Sequence, residues 1–311
     1  MLHVVIATRG RPHLLARTLE SLAACDQPAS YAGTLVVENG DQQGAERVVH
    51  DAPAGLKASY LFHPDGNKSA SLNVALGSIG ARLIVFLDDD VIVGKTLLTA
   101  FAAASDGIEG GLFFGGPVFP DYEVAPPPWL VEFLPYSARG WTLDDESGPV
   151  TKPSFLGANW AAFHADINRV GGFDPSLGPG AATGSIGQER AMQQRLLDAG
   201  CVGRYVPDAK VCHWVPRERC SPRWAFHRMY RDGVSRGLND EAAEAARVLG
   251  YPRWAVRVAA RHALRAMVSL ARPRSKASLD ATREFLLSVG YLKGSRFAHR
   301  AGRDRTAAAG H

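Results

Sequence analysis

The chain has 311 residues, 46% of them hydrophobic, enough to bury a large core without a metal or a partner to fold on, in one extended α/β domain or a domain with an appendage. Its formal net charge of +4 is modest, and no recognised nucleic-acid module accompanies it, which argues against a nucleic-acid binder. Four cysteines form no CxxC pair, and Cys212, His213 and Cys220 lack zinc-finger spacing; with no run of about 18 apolar residues and no secretory leader, the expectation is a cytoplasmic chain with reduced thiols.

Short apolar runs alternate with helical patterns through the first hundred residues. LHVVIA (2–7) reads as a strand and is followed by a helix from Pro12 to about Cys25, with Pro12 at its first position and Leu14, Leu15, Leu19 and Leu22 on one face. TLVVEN (34–39) and ASYLF (58–62) read as strands, residues 69–78 as a helix, and RLIVFL (82–87) as a strand. Strands that are apolar on both faces suit the interior of a parallel sheet flanked by helices. In such sheets ligands bind beyond the carboxyl ends of the strands, where Thr8-Arg9-Gly10, Glu38-Asn39-Gly40 and Asp88 to Asp90 all fall. Residues 120–153, with Trp129, Trp141 and an acidic run at 144–146, have the length of a lid or binding loop. Beyond it, 155–163 reads as a strand, 171–180 as a turn-rich loop, 188–200 as a helix closed by Gly200, and 203–215 as a further strand segment.

Three consecutive aspartates at a strand exit repel one another unless a cation sits among them. With no cysteine or histidine close in sequence, they make a hard oxygen-donor site suited to Mg²⁺ or Mn²⁺, ions that commonly arrive with phosphate. In an extended segment Asp88 and Asp90 share a face and Asp89 turns away. The competing reading is a solvated acidic turn ahead of Lys95 and Thr96.

VVIATRGRPHLLARTLESL, TLVVENG, GNKSASLNVAL, RLIVFLDDDV, FLGANWAAF, GGFD and GQERAMQQRLL occur in the order seen in family 2 glycosyltransferases of the GT-A fold, which residues 2–215 resemble. The resemblance implies an α/β fold with a Rossmann-like, mostly parallel central sheet flanked by helices, and an inverting transfer from a nucleoside-diphosphate sugar to a hydroxyl-bearing acceptor such as a saccharide, a lipid-linked molecule or a natural product. By it, Thr8, Arg9, Glu38 and Asn39 line the base and ribose, Lys68 and Asn73 lie nearby, and Asp88 and Asp90 are the DxD pair, with Asp89 counted among the donor-binding residues. Asp90 then holds Mn²⁺ or Mg²⁺ and Asp88 lies nearer the ribose, while many relatives have Asp where this chain has Glu38. His213 resembles the histidine that completes the metal sphere in some GT-A enzymes; a packed histidine beside Trp214 is its plainer reading.

The family's catalytic base belongs at the start of the helix after GGFD, usually as two adjacent acids, and Gln188-Glu189 leaves Glu189 as the base. A glutamate in a first helical turn also stabilises the helix, which is the alternative role. Trp129, Trp141, Asn159 and Trp160 are the expected acceptor contacts, since aromatic faces suit sugar rings.

Three stretches follow: a nucleotide-sugar-binding α/β half over 1–120, an acceptor-binding and catalytic half of the same domain over 121–220, and a basic helical C-terminal extension over 221–311. In the last, Arg253, Arg257, Arg261 and Arg265 recur every four residues, a stripe that suits peripheral contact with an anionic membrane or a solvated helix face. Rival readings are a sugar-phosphate nucleotidyltransferase, for which TRGRPHLL is a poor phosphate loop, and a non-catalytic sugar-nucleotide or polyanion binder.

Overall fold

The structure, a computed structural model, describes residues 1–143, 149–182, 186–238, 246–269 and 275–308, with side chains through residue 299. The acidic run at 144–146 lies outside the described residues. Two compact units result: Met1–Glu123 with Tyr136–Val215, and Val124–Pro135 with Pro216–His311. The segment 124–135, read from sequence as part of the acceptor half, therefore groups with the C-terminal helices.

The first unit opens with β1 (Leu2–Thr8), α1 (Pro12–Ala23), β2 (Tyr31–Asn39), α2 (Ala45–His50), β3 (Ala58–His63), α3 (Lys68–Ser78) and β4 (Leu83–Asp88). These strands pair in parallel in the order β3-β2-β1-β4. Val4, Val5 and Ile6 of β1 and Ile84 and Val85 of β4 are fully buried, as strands covered by helices on both faces must be. Leu15, Leu19 and Leu22 of α1 enter one face of that core, and Leu72, Ala75 and Leu76 of α3 enter the other. Hydrophobic periodicity therefore places most elements of this half to within about two residues of their observed ends, but β2 begins at Tyr31, three residues before the expected strand, and α2 has no counterpart in the sequence pattern.

Farther along come β5 (Val91–Val93), α4 (Leu97–Ala104), β6 (Leu112–Gly115), β7 (Val118–Tyr122), the single-turn helices α5 (Pro128–Val131) and α6 (Tyr136–Arg139), β8 (Pro149–Val150), β9 (Asn159–Phe163), α7 (His164–Arg169), α8 (Gln188–Asp198), β10 (Val202–Tyr205) and β11 (Val211–Val215). The main sheet runs β3-β2-β1-β4-β9-β6-β10-β8, with β9 antiparallel to both neighbours, and β5-β11-β7 form a smaller sheet. Two readings change. The strand expected over 155–163 starts only at Asn159, because the backbone of Ser154 and Phe155 is held by the Gln193 side chain and not by a neighbouring strand. The single strand segment expected over 203–215 is two strands in different sheets: Pro207 and Asp208 turn the chain, and Ala209 N–H closes on Val206 O at 3.1 Å.

The second unit contains α9 (Pro222–Leu238), the hairpin β12 (Arg247–Val248) and β13 (Tyr251–Pro252), α10 (Arg253–Ser269) and α11 (Lys276–Ala308). α9 and α11 meet backbone to backbone. A Cβ added at Gly233 or Gly237 would lie 2.2 Å or 2.1 Å from a carbonyl oxygen of α11, and one at Gly290 or Gly294 would lie 2.1 Å from a carbonyl of α9. Four-residue glycine spacing on both helices thus sets the close crossing. No helix among the described residues is long and apolar enough to cross a membrane.

Candidate active site

Strand order reverses between β1 and β4, because β2 and β3 extend the sheet on one side of β1 while β4 lies on the other. A crevice opens at such a switch point, beyond the carboxyl ends of the strands. The registers put the polar clusters there at one level: Thr8 is opposite Glu38, and Ala7 is opposite Asp88.

Asp90 and His213 are brought together by the small sheet. β11 pairs antiparallel with β5 so that His213 is opposite Val91, and the Trp214 N–H donates to Asp90 O at 2.8 Å. A slip of one residue would turn His213 to the other face and present Cys212 or Trp214 instead. One ligand atom each from Asp88, Asp90 and His213 lies within 4.8 Å of the others, and His213 Nε2 is 3.3 Å from Asp90 Oδ1. Asp90 and His213 are buried, whereas Asp88 is partly exposed. Two carboxylates and an imidazole form a donor set that fits Mn²⁺ or Mg²⁺ better than a thiolate-seeking ion, so these residues suit the ion the acidic run implies.

Side chains supply cations here as well. Arg11 reaches Asp90 Oδ2 at 2.5 Å and also grips Asp89. Asp89 is fully buried, accepts from Thr8 Oγ1 at 2.7 Å, and has its pKa pushed up to about 6 by burial, against the pull of Arg11 and with the help of Asp90. Lys68 Nζ sits 2.6 Å from Asp88 Oδ1 and 3.4 Å from Glu189 Oε1. Burial alone would lower the Lys68 pKa, but Asp88 and then Glu189 outweigh it, and the ammonium is held above its ordinary value. With Asp89 ionised, four carboxylates (Asp88, Asp89, Asp90, Glu189) therefore face two cationic side chains. Two negative charges remain, the complement of one divalent ion.

Arg11 is a site residue that the pattern reading passed over. It precedes Pro12, so its position registers as a helix start, not as a binding position; the only signal for it is a cation opposite an acidic run far away in sequence. Lys68 is better marked. It opens α3 behind the N-cap Asn67, whose side chain accepts from Ala70 N–H at 3.0 Å. The same end of α3 is tied to the loop leading toward α8: Lys68 N–H donates to Pro179 O, and Ser69 Oγ to Leu177 O.

Glu189 is the second residue of α8, a position that suits an anion. Among the described residues, Gln188 Nε2 at 2.6 Å and Lys68 Nζ both reach its Oε1. The loop before β9 shapes its seat: buried Gln193 on α8 accepts from Ser154 N–H and Phe155 N–H, and Gly157 then passes so close that an added Cβ would lie 2.2 Å from Glu189 Oε1. The crowding falls on the end of a flexible side chain. Gly157→Ala is therefore expected to displace the carboxylate and cut turnover about tenfold or more while leaving the melting temperature nearly unchanged, which steady-state kinetics and a thermal melt check together. Equal losses of both would mean that the glycine serves only the fold.

Residues 2–109 match the family described as Glycosyltransferase like family 2. Over 310 residues the chain is 26% identical to the succinoglycan biosynthesis protein ExoM of Rhizobium meliloti (strain 1021), covering 95% of this chain and 88% of that one. Residues 2–109 thus resemble a family 2 glycosyltransferase domain. In fold the chain resembles the mannosyltransferase PcManGT from Pyrobaculum calidifontis in complex with GDP-Man and Mn²⁺, with 16% identity, a TM-score of 0.57, and coverage of 94% of this chain and 86% of that one. It also resembles S. aureus TarS 1-349 in complex with UDP-GlcNAc, with 14% identity, a TM-score of 0.52, and coverage of 98% and 92%. The architecture is thus the GT-A one: an α/β unit around a mostly parallel sheet, with C-terminal helices.

The remaining expected donor residues are tied into the crevice walls. Glu38 is buried, with Oε1 accepting from Gln43 N–H and Oε2 from Tyr60 OH, both at 2.7 Å. Asn39 donates to Thr8 O at 3.0 Å, Arg9 donates to Gly66 O at 3.1 Å, and Asn73 clamps the backbone of Phe173 through both its side-chain atoms. The expected acceptor contacts change most. Trp160 is buried and stacked on Phe86 at 4.7 Å, and Trp141 is buried edge-on against Phe155 and Tyr205. Asn159, fully buried, donates to Pro117 O and Ala209 O and so ties β9 to the chain between β6 and β7 and between β10 and β11. All three are core residues: the ring faces of Trp141 and Trp160 that a sugar would use are taken by neighbours, and Asn159 is closed off from solvent. Trp129 is exposed, on α5 of the second unit.

Proposed function

We propose that the chain is a glycosyltransferase that moves a sugar from a nucleoside-diphosphate sugar to an acceptor hydroxyl by a single displacement with inversion, with Mn²⁺ or Mg²⁺ held by Asp88, Asp90 and His213. The observation that carries this reading is the charge arrangement at the switch point: Asp88, Asp90 and His213 offer three converging ligand atoms, the cluster is two charges short of neutral, and Lys68 links it to Glu189. When bound, the ion supplies positive charge against the diphosphate.

The chain's own residues account for the rest. Glu189 takes the proton from the acceptor hydroxyl as that oxygen bonds to the anomeric carbon, and the bond from that carbon to the diphosphate oxygen breaks with its electron pair leaving on the diphosphate. Lys68 fixes the Glu189 carboxylate relative to Asp88, and Arg11 holds Asp89 and Asp90 in place, so the groups are in position before the donor enters. One in-line step needs no covalent enzyme intermediate. The similarity to proteins solved with GDP-Man and with UDP-GlcNAc supports a nucleotide-sugar donor.

A thermal-shift series with uridine, guanosine and thymidine diphosphates, each with and without Mn²⁺, tests this. One of them at about a hundred times its Kd is expected to raise the melting temperature by roughly 5 to 10 °C, and only when Mn²⁺ is present. No shift with any of them would remove the donor site from this crevice.

A further inference from the structure

α10 packs through one side. Ala255 and Ala259 are buried, and His262 Nδ1 meets Ser288 Oγ of α11 at 2.7 Å. The opposite side has an unusual composition. Leu264, Met267 and Val268 are 59%, 61% and 70% exposed, Trp254 at the edge of this side is 43% exposed with its ring 5.2 Å from that of Tyr291 on α11, and Arg253, Arg257, Arg261 and Arg265 are exposed among them. At 100° per residue these eight side chains share one arc of about 160°, with arginines and large apolar groups alternating around it. The whole of α10 contains no aspartate or glutamate. Arg265 lies 3.5 Å from Glu284 of α11, and among the described residues no salt bridge involves Arg253, Arg257 or Arg261.

Leu264, Met267 and Val268, at i, i+3 and i+4, form one contiguous apolar group set among the arginines, and contiguous exposed apolar patches rimmed by polar residues mark interaction surfaces. We propose that this face of α10 docks on an anionic lipid surface, with Leu264, Met267 and Val268 entering the headgroup boundary and the arginine stems lying along it so that the guanidinium groups reach lipid phosphates. The face is positive, since α10 carries no acid and only Arg265 of its four arginines has a carboxylate neighbour among the described residues, so it matches a negative bilayer in charge, and the apolar residues on the same arc distinguish lipid from a dissolved polyanion, which would engage the arginines alone. No membrane-spanning helix is involved. Docking is separate from the transfer chemistry, since none of these residues belongs to the crevice.

The test is cosedimentation of the full chain with phosphatidylglycerol vesicles and with pure phosphatidylcholine vesicles. The wild type is expected to pellet with the first and stay in solution with the second. Arg257→Gln with Arg261→Gln is expected to weaken the interaction roughly thirtyfold, and Leu264→Gln with Met267→Gln about tenfold or more. Both double variants replace exposed side chains, so their melting temperatures and their Mn²⁺-dependent nucleotide shifts should match the wild type. Absence of pelleting with phosphatidylglycerol overturns the proposal, as does equal pelleting with both lipids. It is also overturned if the Leu264/Met267 variant binds as tightly as the wild type, or if a single-stranded oligonucleotide binds and vesicles fail to displace it, for either result marks a polyanion site.

Discussion

Glu189→Gln is expected to lower sugar transfer by about 10²- to 10⁴-fold with little change in nucleotide affinity. The substitution keeps the size and planarity of the side chain, and a glutamine oxygen still accepts from Lys68 and Gln188, the two neighbours that reach Oε1. Only the ability to take a proton is lost. A glutamate whose sole contribution was to the first turn of α8 would behave differently: its removal would shift the melting temperature slightly and leave turnover alone. Single-turnover rates with a sugar nucleotide and acceptor, alongside calorimetric nucleotide binding, separate the two cases. Undiminished transfer by the variant would take the base role away from Glu189, whatever became of the nucleotide site.

Asp90→Ala is expected to abolish the tightening of nucleoside diphosphate by Mn²⁺, a loss exceeding the roughly 10- to 100-fold typical of partners outside the coordination shell. Asp90 is where the two sheets meet the site, accepting from Arg11 and lying 3.3 Å from His213 Nε2. Without it two of the three converging ligand groups remain, and among the described residues Arg11 keeps its ion pair with Asp89. Because a buried residue is being removed, Asp90→Asn serves as the companion: it preserves the shape, keeps an oxygen that can accept from Arg11, and weakens the negative donor set. Calorimetry of nucleoside diphosphate with and without Mn²⁺ reads both variants. If either keeps the full Mn²⁺ effect, the ion binds elsewhere.

The division between what is local and what is not follows from how each part of the chain is stabilised. Between Leu2 and Asp88 the inner strands β1, β2 and β4 are buried by neighbouring helices, so apolar runs and helical spacing mark the elements, and strand ends mark where polar residues emerge. The second half lacks that regularity. Nothing local separates β10 from β11 except a turn, and nothing local assigns them to different sheets. The tryptophans show the same limit: residue type makes Trp129, Trp141 and Trp160 equal candidates for a sugar surface, and only the rings around them place Trp141 and Trp160 in the core.

The amino-acid sequence by itself determined the βαβ pattern, the polar clusters beyond the strand ends, the need of Asp88, Asp89 and Asp90 for positive charge, and the acid-free arginine repeat of α10. Tertiary structure alone decided that Arg11 and Lys68 are the cations that answer that need, and it brought His213, which the family resemblance had offered as a ligand, against Asp90. Arg11 and Lys68 approach the aspartates from separate helix starts, and His213 arrives through the register of β11 on β5, more than a hundred residues downstream. The reason is physical: burial of a face leaves a periodic trace in the sequence, whereas a pairing between distant charged groups leaves none until packing of the whole unit sets the distance between them.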